Sequence, residues 1–266
     1  MTERALETDD PTKSSLRSKY SAEKELHELA RAQRQMLKQI PPEVSGYEQI
    51  LAYRPAFFAT GDYHDFFCCE SGHAVFVGDG SGHGPAASIV MVTMRTILHT
   101  HPEIHCDPAS TLGAACRMLN QLVPSDRFMT GVYLLMETDG WLSWASAGHH
   151  PPIWLHQPDQ IEPLDLSQIG LPLAPWPEEQ YRNTRWQLTP GDRVMLFTDG
   201  LVEARNRSGT QLGRPFLEQH MRQARALPLR DMVSRLLDQV NQHLAGADFE
   251  DDFTIVALER QEGYCI

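Results

Sequence analysis

The stretch Phe76-Val-Gly-Asp-Gly-Ser-Gly-His-Gly-Pro-Ala-Ala-Ser88 decides how this chain is read. It places a glycine at every second position from Gly78 to Gly84, with one acid, Asp79, inside the run. The residues before it, His73–Val77, are short, apolar and β-branched, and read as a strand; Ala86–His99 reads as a helix. Glycine-rich turns between strand and helix commonly cradle phosphate on backbone N–H groups, and a carboxylate spoils such a cradle. The turn also lacks the Lys-Ser/Thr ending of a P-loop, and Pro85 stands where a G-x-G-x-x-G starting at Gly80 needs its last glycine. A nucleotide loop is the weaker reading.

Asp79 has company. Asp199 directly follows the strand candidate Arg193–Thr198, and Asp251 and Asp252 directly precede Phe253–Leu258. Asp62 stands in Thr60-Gly-Asp-Tyr-His-Asp-Phe-Phe67, read here as a turn before aromatic residues. Each acid alone is ordinary turn chemistry. Gathered at the edge of a core they repel one another, and their pKa values rise unless a cation compensates. Carboxylate and carbonyl oxygens suit Mg²⁺ or Mn²⁺ and not zinc.

The rest of the chain fits a globular protein of 266 residues, 41% hydrophobic and 22% charged. Its net charge of −12 disfavours nucleic acid and anionic membrane surfaces as partners. The N-terminus is too polar for a signal peptide and no apolar run reaches membrane length, so a cytoplasmic protein is expected. The five cysteines have no C-x-x-C pair and give neither a disulfide framework nor a zinc site; Cys68 and Cys69 read as small core or sheet residues.

Residues 1–19 are polar and expected to be disordered. Over 20–42, Ala22, Leu26, Leu29, Met36 and Ile40 follow alternating steps of four and three, broken only by Gln33 and stopped by Pro41-Pro42. This linker helix packs on its own domain or serves as a seam for a homodimer or a regulator; the sequence leaves both open. Further strands are expected at Tyr47–Tyr53, Gly131–Glu137, Leu142–Ala147 and Ile153–Leu155, and further helices at Pro108–Leu122 and Leu229–Ala245. Pro158–Tyr181 reads as a loop or a small flap. Strands in hairpin succession beside adjacent helices indicate an α+β layered fold, not an alternating parallel sheet.

Five ordered blocks carry a family resemblance over roughly residues 45 to 260. They are Gly61-Asp-Tyr-His-Asp-Phe-Phe67, Val77-Gly-Asp-Gly-Ser-Gly-His-Gly84, Ala145-Ser-Ala-Gly-His-His-Pro-Pro152, Pro190–Ala204 with its Phe-Thr-Asp-Gly core, and Asp251-Asp-Phe-Thr-Ile-Val256. The chain resembles the metal-dependent PPM-type (PP2C-like) serine/threonine protein phosphatases, in the bacterial SpoIIE-like and RsbU-like branch. That resemblance implies two stacked antiparallel sheets flanked by helices, an α-β-β-α sandwich occupying 43–266. It implies two Mn²⁺ or Mg²⁺ ions held by Asp62, Asp79, Asp199 and Asp251 with the Gly80 carbonyl, Asp79 bridging them. Of the adjacent acids Asp251 matches the family ligand, and Asp252 is left to support the turn.

Arg54 is the candidate for the substrate-phosphate arginine of eukaryotic relatives, and Asp65 and His83 are candidate supports of the metal shell. His83, His149 and His150 invite a general-acid role because imidazole titrates near neutrality, although such residues more often orient loops or fill a core edge. The implied reaction is hydrolysis of phosphoserine or phosphothreonine by metal-activated water, and the implied substrate is a phosphorylated STAS-type anti-sigma-factor antagonist in a partner-switching pathway. A catalytically inactive scaffold is the alternative, which a complete set of metal acids argues against. Thr60 stands where the family's first block has a glycine, and would be strained if that site needs φ > 0.

Overall fold

The computed structural model describes residues 11–37, 40–105, 107–137, 139–156 and 158–262. A long helix α1 (Pro11–Met36) leads into strands β1 (Tyr47–Arg54), β2 (Asp62–Cys69) and β3 (Gly72–Gly80), then helices α2 (Pro85–Thr100) and α3 (Pro108–Leu122). Strands β4 (Met129–Glu137), β5 (Trp141–Ala147), β6 (Ile153–His156), β7 (Gln160–Ile161), β8 (Ile169–Gly170), β9 (Thr184–Gln187) and β10 (Arg193–Phe197) follow. Helices α4 (Asp199–Val202), α5 (Arg214–Gln223) and α6 (Leu229–Leu244) precede the last strand, β11 (Phe253–Arg260).

One sheet runs β1-β11-β10-β6-β7 and the other β2-β3-β4-β5-β8, with β9 also paired to β5. The pairs are antiparallel except β5–β8, which is parallel, so the second sheet is mixed. Period-2 alternation fixes how the layers stack. In β3, Val75 and Val77 lie in the core between the sheets, while Ala74 and Phe76 face α2 and α3 with Met91, Met94, Leu112 and Leu119. In β10 and β11, Val194, Leu196, Val256 and Leu258 turn to the inter-sheet core. Met195, Phe197, Ile255 and Ala257 turn to α5 and α6, meeting Leu217, Met232 and Leu236. Each strand thus supplies two cores, and the α-β-β-α sandwich is the expected architecture.

Three local expectations are corrected. Asp62 opens strand β2 and does not sit in a turn. The strand escaped notice because six of its residues, Asp62 to Phe67, are buried, so no polar face alternates with an apolar one. Helix α5 was not anticipated; it is short, with three buried residues among ten. Helix α1 begins at Pro11 and runs through residues 11–19, expected to be disordered; proline suits the first helical turn, and extending a helix costs less than nucleating one. Residues 1–10 lie outside the described residues.

Among the described residues, Ala30 and Gln33 of α1 and Leu37 just beyond it are buried, while Met36 and Ile40 of the heptad pattern stay exposed. Gln33, the residue that breaks the pattern, is 2% exposed. Its Nε2 donates to the Thr60 carbonyl at 3.1 Å, and its Oε1 accepts from the Thr60 N–H at 3.0 Å. One side chain thus satisfies both backbone groups of a buried loop residue. Thr60 does not take a positive φ, so the missing glycine introduces no strain. Replacing Gln33 by Leu orphans both groups, and is expected to cost about 1–3 kcal/mol of stability at unchanged m-value in urea unfolding.

Candidate metal centre

At one end of the sandwich the inter-sheet layer changes chemistry. Extending the inward series by two residues takes β3 from Val77 to Asp79, β4 from Val132 to Thr130, β10 from Leu196 to Thr198 and β11 from Val256 to Thr254. In β2, Phe66 of the inter-sheet core leads back to Asp62. Asp62 and Asp79 lie directly opposite on the β2–β3 ladder, and Thr130 is opposite Asp79 on β4. Asp199 opens α4 immediately beyond β10, and Asp251 stands two residues before β11. Both sheets therefore deliver acids to one end.

Asp62 joins the sheets. Its Oδ2 accepts hydroxyl hydrogen bonds from Thr198 at 2.9 Å and Thr254 at 2.6 Å, both on the facing sheet. The Thr198 Oγ1 also accepts from the Thr254 N–H at 2.8 Å, which fixes its rotor. Asp252 ties down the neighbouring loop by accepting from the N–H groups of Ala56 at 2.7 Å and Gly61 at 3.2 Å. Close approach sets the glycines. A Cβ on Gly61 would lie 2.6 Å from the Gly80 carbonyl oxygen and 2.9 Å from Asp79 Oδ1, and one on Gly200 would lie 1.9 Å from the Asp252 carbonyl.

A second clamp crosses the sheets beside Asp79. The Phe197 carbonyl can only accept, so His149 donates to it from Nε2, at 3.1 Å. Nδ1 then accepts from the Thr130 hydroxyl at 2.8 Å. Burial holds the ring neutral, with its pKa pushed down to about 3. His149 therefore positions strands and is no proton donor at neutral pH. His150 stacks on Phe197 at 5.4 Å, and burial lowers its pKa as well, against the pull of Asp199.

The carboxylates crowd one another. Asp79 is pushed up to about 9, first by burial and then by the charges of Asp62, Asp199, Asp251 and Asp252. Burial raises Asp62 far above its ordinary value, with Asp252 and Asp199 adding to the effect and the two threonine hydroxyls opposing it. Burial also raises Asp251, against the Asp252 N–H that donates to its Oδ1 at 2.8 Å. The strongest charges on Asp79 are all negative, and the donors are hard oxygens, so the set fits divalent cations such as Mg²⁺ or Mn²⁺. Among the described residues no three His, Cys, Asp or Glu side chains already close round a point as a finished cage, Asp62 being turned to the threonines.

The alternation of strand faces sorts the remaining candidates. Asp65 lies on the face of β2 that carries Tyr63 and Phe67 towards the helices. There it accepts from Tyr63 Oη at 2.9 Å and the Phe66 N–H at 2.8 Å, and pairs with His99 Nε2 at 2.6 Å; it ties α2 to β2 and is not part of the acid group. Arg54 follows Ile50 and Ala52 on the α6 side of β1, with its guanidinium 4.9 Å over the Phe249 ring. It faces away from the acids and is no phosphate ligand in this arrangement. His83 is exposed on the loop, with its ring 5.4 Å from that of Phe57. Cys68 and Cys69 are sheet residues, Cys68 exposed. Sequence reading missed Thr130, Thr198 and Thr254; the signal available was the inward period-2 series carried past its last valine or leucine.

Two stacked sheets between helix pairs, with acids gathered at one end, define a phosphatase fold of the PP2C type. The SiaA PP2C domain of Pseudomonas aeruginosa shares it at a TM-score of 0.80 and 18% identity, over 91% of this chain and 98% of that one. PstP, a serine/threonine protein phosphatase solved with two manganese ions, shares it at 0.56 and 15%, over 81% and 99%. The chain belongs to the Stage II sporulation protein E (SpoIIE) family, whose model matches residues 70–261. It is 29% identical over 208 residues to the phosphoserine phosphatase RsbU of Bacillus subtilis (strain 168), an alignment covering 78% of this chain and 61% of that protein. Among the described residues no helix is long and apolar enough to cross a membrane.

Linkage gives the site a measurable signature without turnover. Asp79 moves from an ordinary 3.8 to about 9 on folding. A raised acid contributes its stability fully below the unfolded value and loses it as pH rises through the folded one. The metal-free protein is expected to lose Tm across that interval, and excess Mn²⁺ or Mg²⁺ to flatten the loss by taking the place of the protons. Thermal scans over pH, with and without chelator, check this.

Proposed function

We propose that the chain is a metal-dependent serine/threonine protein phosphatase that acts on a phosphorylated STAS-type switch protein. One observation carries the reading: two sheets each deliver carboxylates to a single buried end, where the charges pressing hardest on Asp79 are those of other acids. Family membership and the resemblance to RsbU support it. Asp62, Asp79, Asp199 and Asp251 would hold the cations with the Gly80 carbonyl, Asp79 lying under the charges of the other three. Bound there, two divalent cations would supply Lewis acidity and a water of lowered pKa.

The chain's own contribution is placement. The Thr198 and Thr254 hydroxyls and the Asp252 carboxylate fix Asp62 and Gly61 from the end of the facing sheet and the residues bordering it. Neutral His149 holds β4 against the end of β10 without placing a positive charge among the ligands. Preorganised groups of this kind need no rearrangement at the moment of reaction.

Hydrolysis of p-nitrophenyl phosphate should require Mn²⁺ or Mg²⁺, and Asp79→Asn should lower kcat by about a hundredfold or more. Equal rates for the two proteins would remove the metal-centre reading. Phosphate release from a phosphoserine-bearing STAS-domain protein, absent with the Asp79→Asn variant, checks the substrate.

A further inference from the structure

A groove leads away from the acids beneath the segment Glu162–Ile169. Its first compartment, about 430 Å³, has Asp199 itself in the wall, beside His150, Pro151, Leu164, Leu166 and Ile169. A second compartment of about 320 Å³ shares Pro151, Leu164 and Arg214 with the first and reaches Trp144. Sizes of this order match side-chain and small-ligand pockets.

The two compartments differ in chemistry. The first is walled mainly by apolar groups, with Leu164 46% and Leu166 66% exposed. Its one cation, Arg214, is already engaged: Nη1 donates to the Pro151 carbonyl at 2.7 Å, and Nε pairs with Glu218 at 2.9 Å. Arg214 therefore braces the wall and does not offer a free charge to an anion. The second compartment is more polar and includes Glu162 and Asp165. Trp144, 3% exposed, closes its floor, packed on Trp186 with ring centroids 5.4 Å apart.

We propose that this groove binds, in extended form, the polypeptide flanking the phosphorylated residue, and seats an apolar side chain next to that residue in the compartment beside Asp199. The identity of the occupant rests on the phosphatase reading. Because a metal-site acid forms part of the wall, whatever is joined to a phosphoester held at the acids passes directly over the compartment. Leucines left open at such a point gain most by covering an apolar side chain, and an extended segment can lay successive side chains along the two compartments.

Phosphoserine peptides differing only in the residues flanking the phosphoserine, Leu in one set and Asp in the other, test the groove. The Leu peptides should be hydrolysed with a kcat/KM about tenfold or more above the Asp peptides. Leu166→Asp, at a largely exposed position, should remove that preference and lower peptide hydrolysis by more than it lowers hydrolysis of p-nitrophenyl phosphate. Equal rates on the two peptide sets, or an equal loss on peptide and p-nitrophenyl phosphate, would overturn the proposal. Fluorescence anisotropy with labelled peptides carrying a non-hydrolysable phosphonate separates it from the parent reading. A Leu preference in binding without any turnover keeps the groove and removes the phosphatase, whereas turnover without preference keeps the phosphatase and removes the groove.

Discussion

A carboxylate taken out of water between two β-sheets costs several kcal/mol unless its lone pairs or its charge are met. Asp62, 1% exposed, meets that demand across the gap: its partners are hydroxyls on the opposing sheet. The interaction works only when β2 and the β10–β11 pair stand at one separation and one register. Much of the site follows from it. Asp79 is locked opposite Asp62 by the β2–β3 ladder, and Asp199 follows directly after Thr198.

The second clamp, through His149, is of the opposite electrical kind. It joins Thr130 to the Phe197 carbonyl with a neutral ring, so it fixes geometry while adding no charge. Asp252 and Gln33 repeat that division of labour in the loop before β2, one an acid on the N–H groups of Ala56 and Gly61, the other an amide on both groups of Thr60. Backbone groups that would otherwise lie buried and unpaired are used to hold the loop that presents Asp62.

The layered fold was legible because β3, β10 and β11 are short apolar runs bounded by Gly, Pro or Asp, and because α6 carries a clean apolar stripe. Strand β2 was not: its Asp-Tyr-His-Asp-Phe-Phe mixes polar and aromatic residues with both faces covered, so burial left no alternation to read. Asp79, Asp199 and Asp251 stood out by their place beside strand candidates, Asp79 and Asp199 each followed by glycine. Asp65 and Arg54, candidates by sequence proximity, lie on strand faces turned away from the acids. Proximity in sequence says nothing of strand face, and an odd step from Asp62 points Asp65 into the helix layer. Gln33 looked like a flaw in a heptad; it is the residue whose polarity the structure needs there.

The acids come from two sheets whose facing surfaces, away from this end, are lined by Val75, Val77, Val194, Leu196 and Val256. The bulk of those side chains is the spacer that determines how far apart the acids of the two sheets stand. The spacing of those acids is thus written partly in the girth of aliphatic residues that carry no charge themselves. A methyl group gained or lost deep in that layer would retune the acids as surely as a change among them, leaving every strand's own sequence of ligands intact.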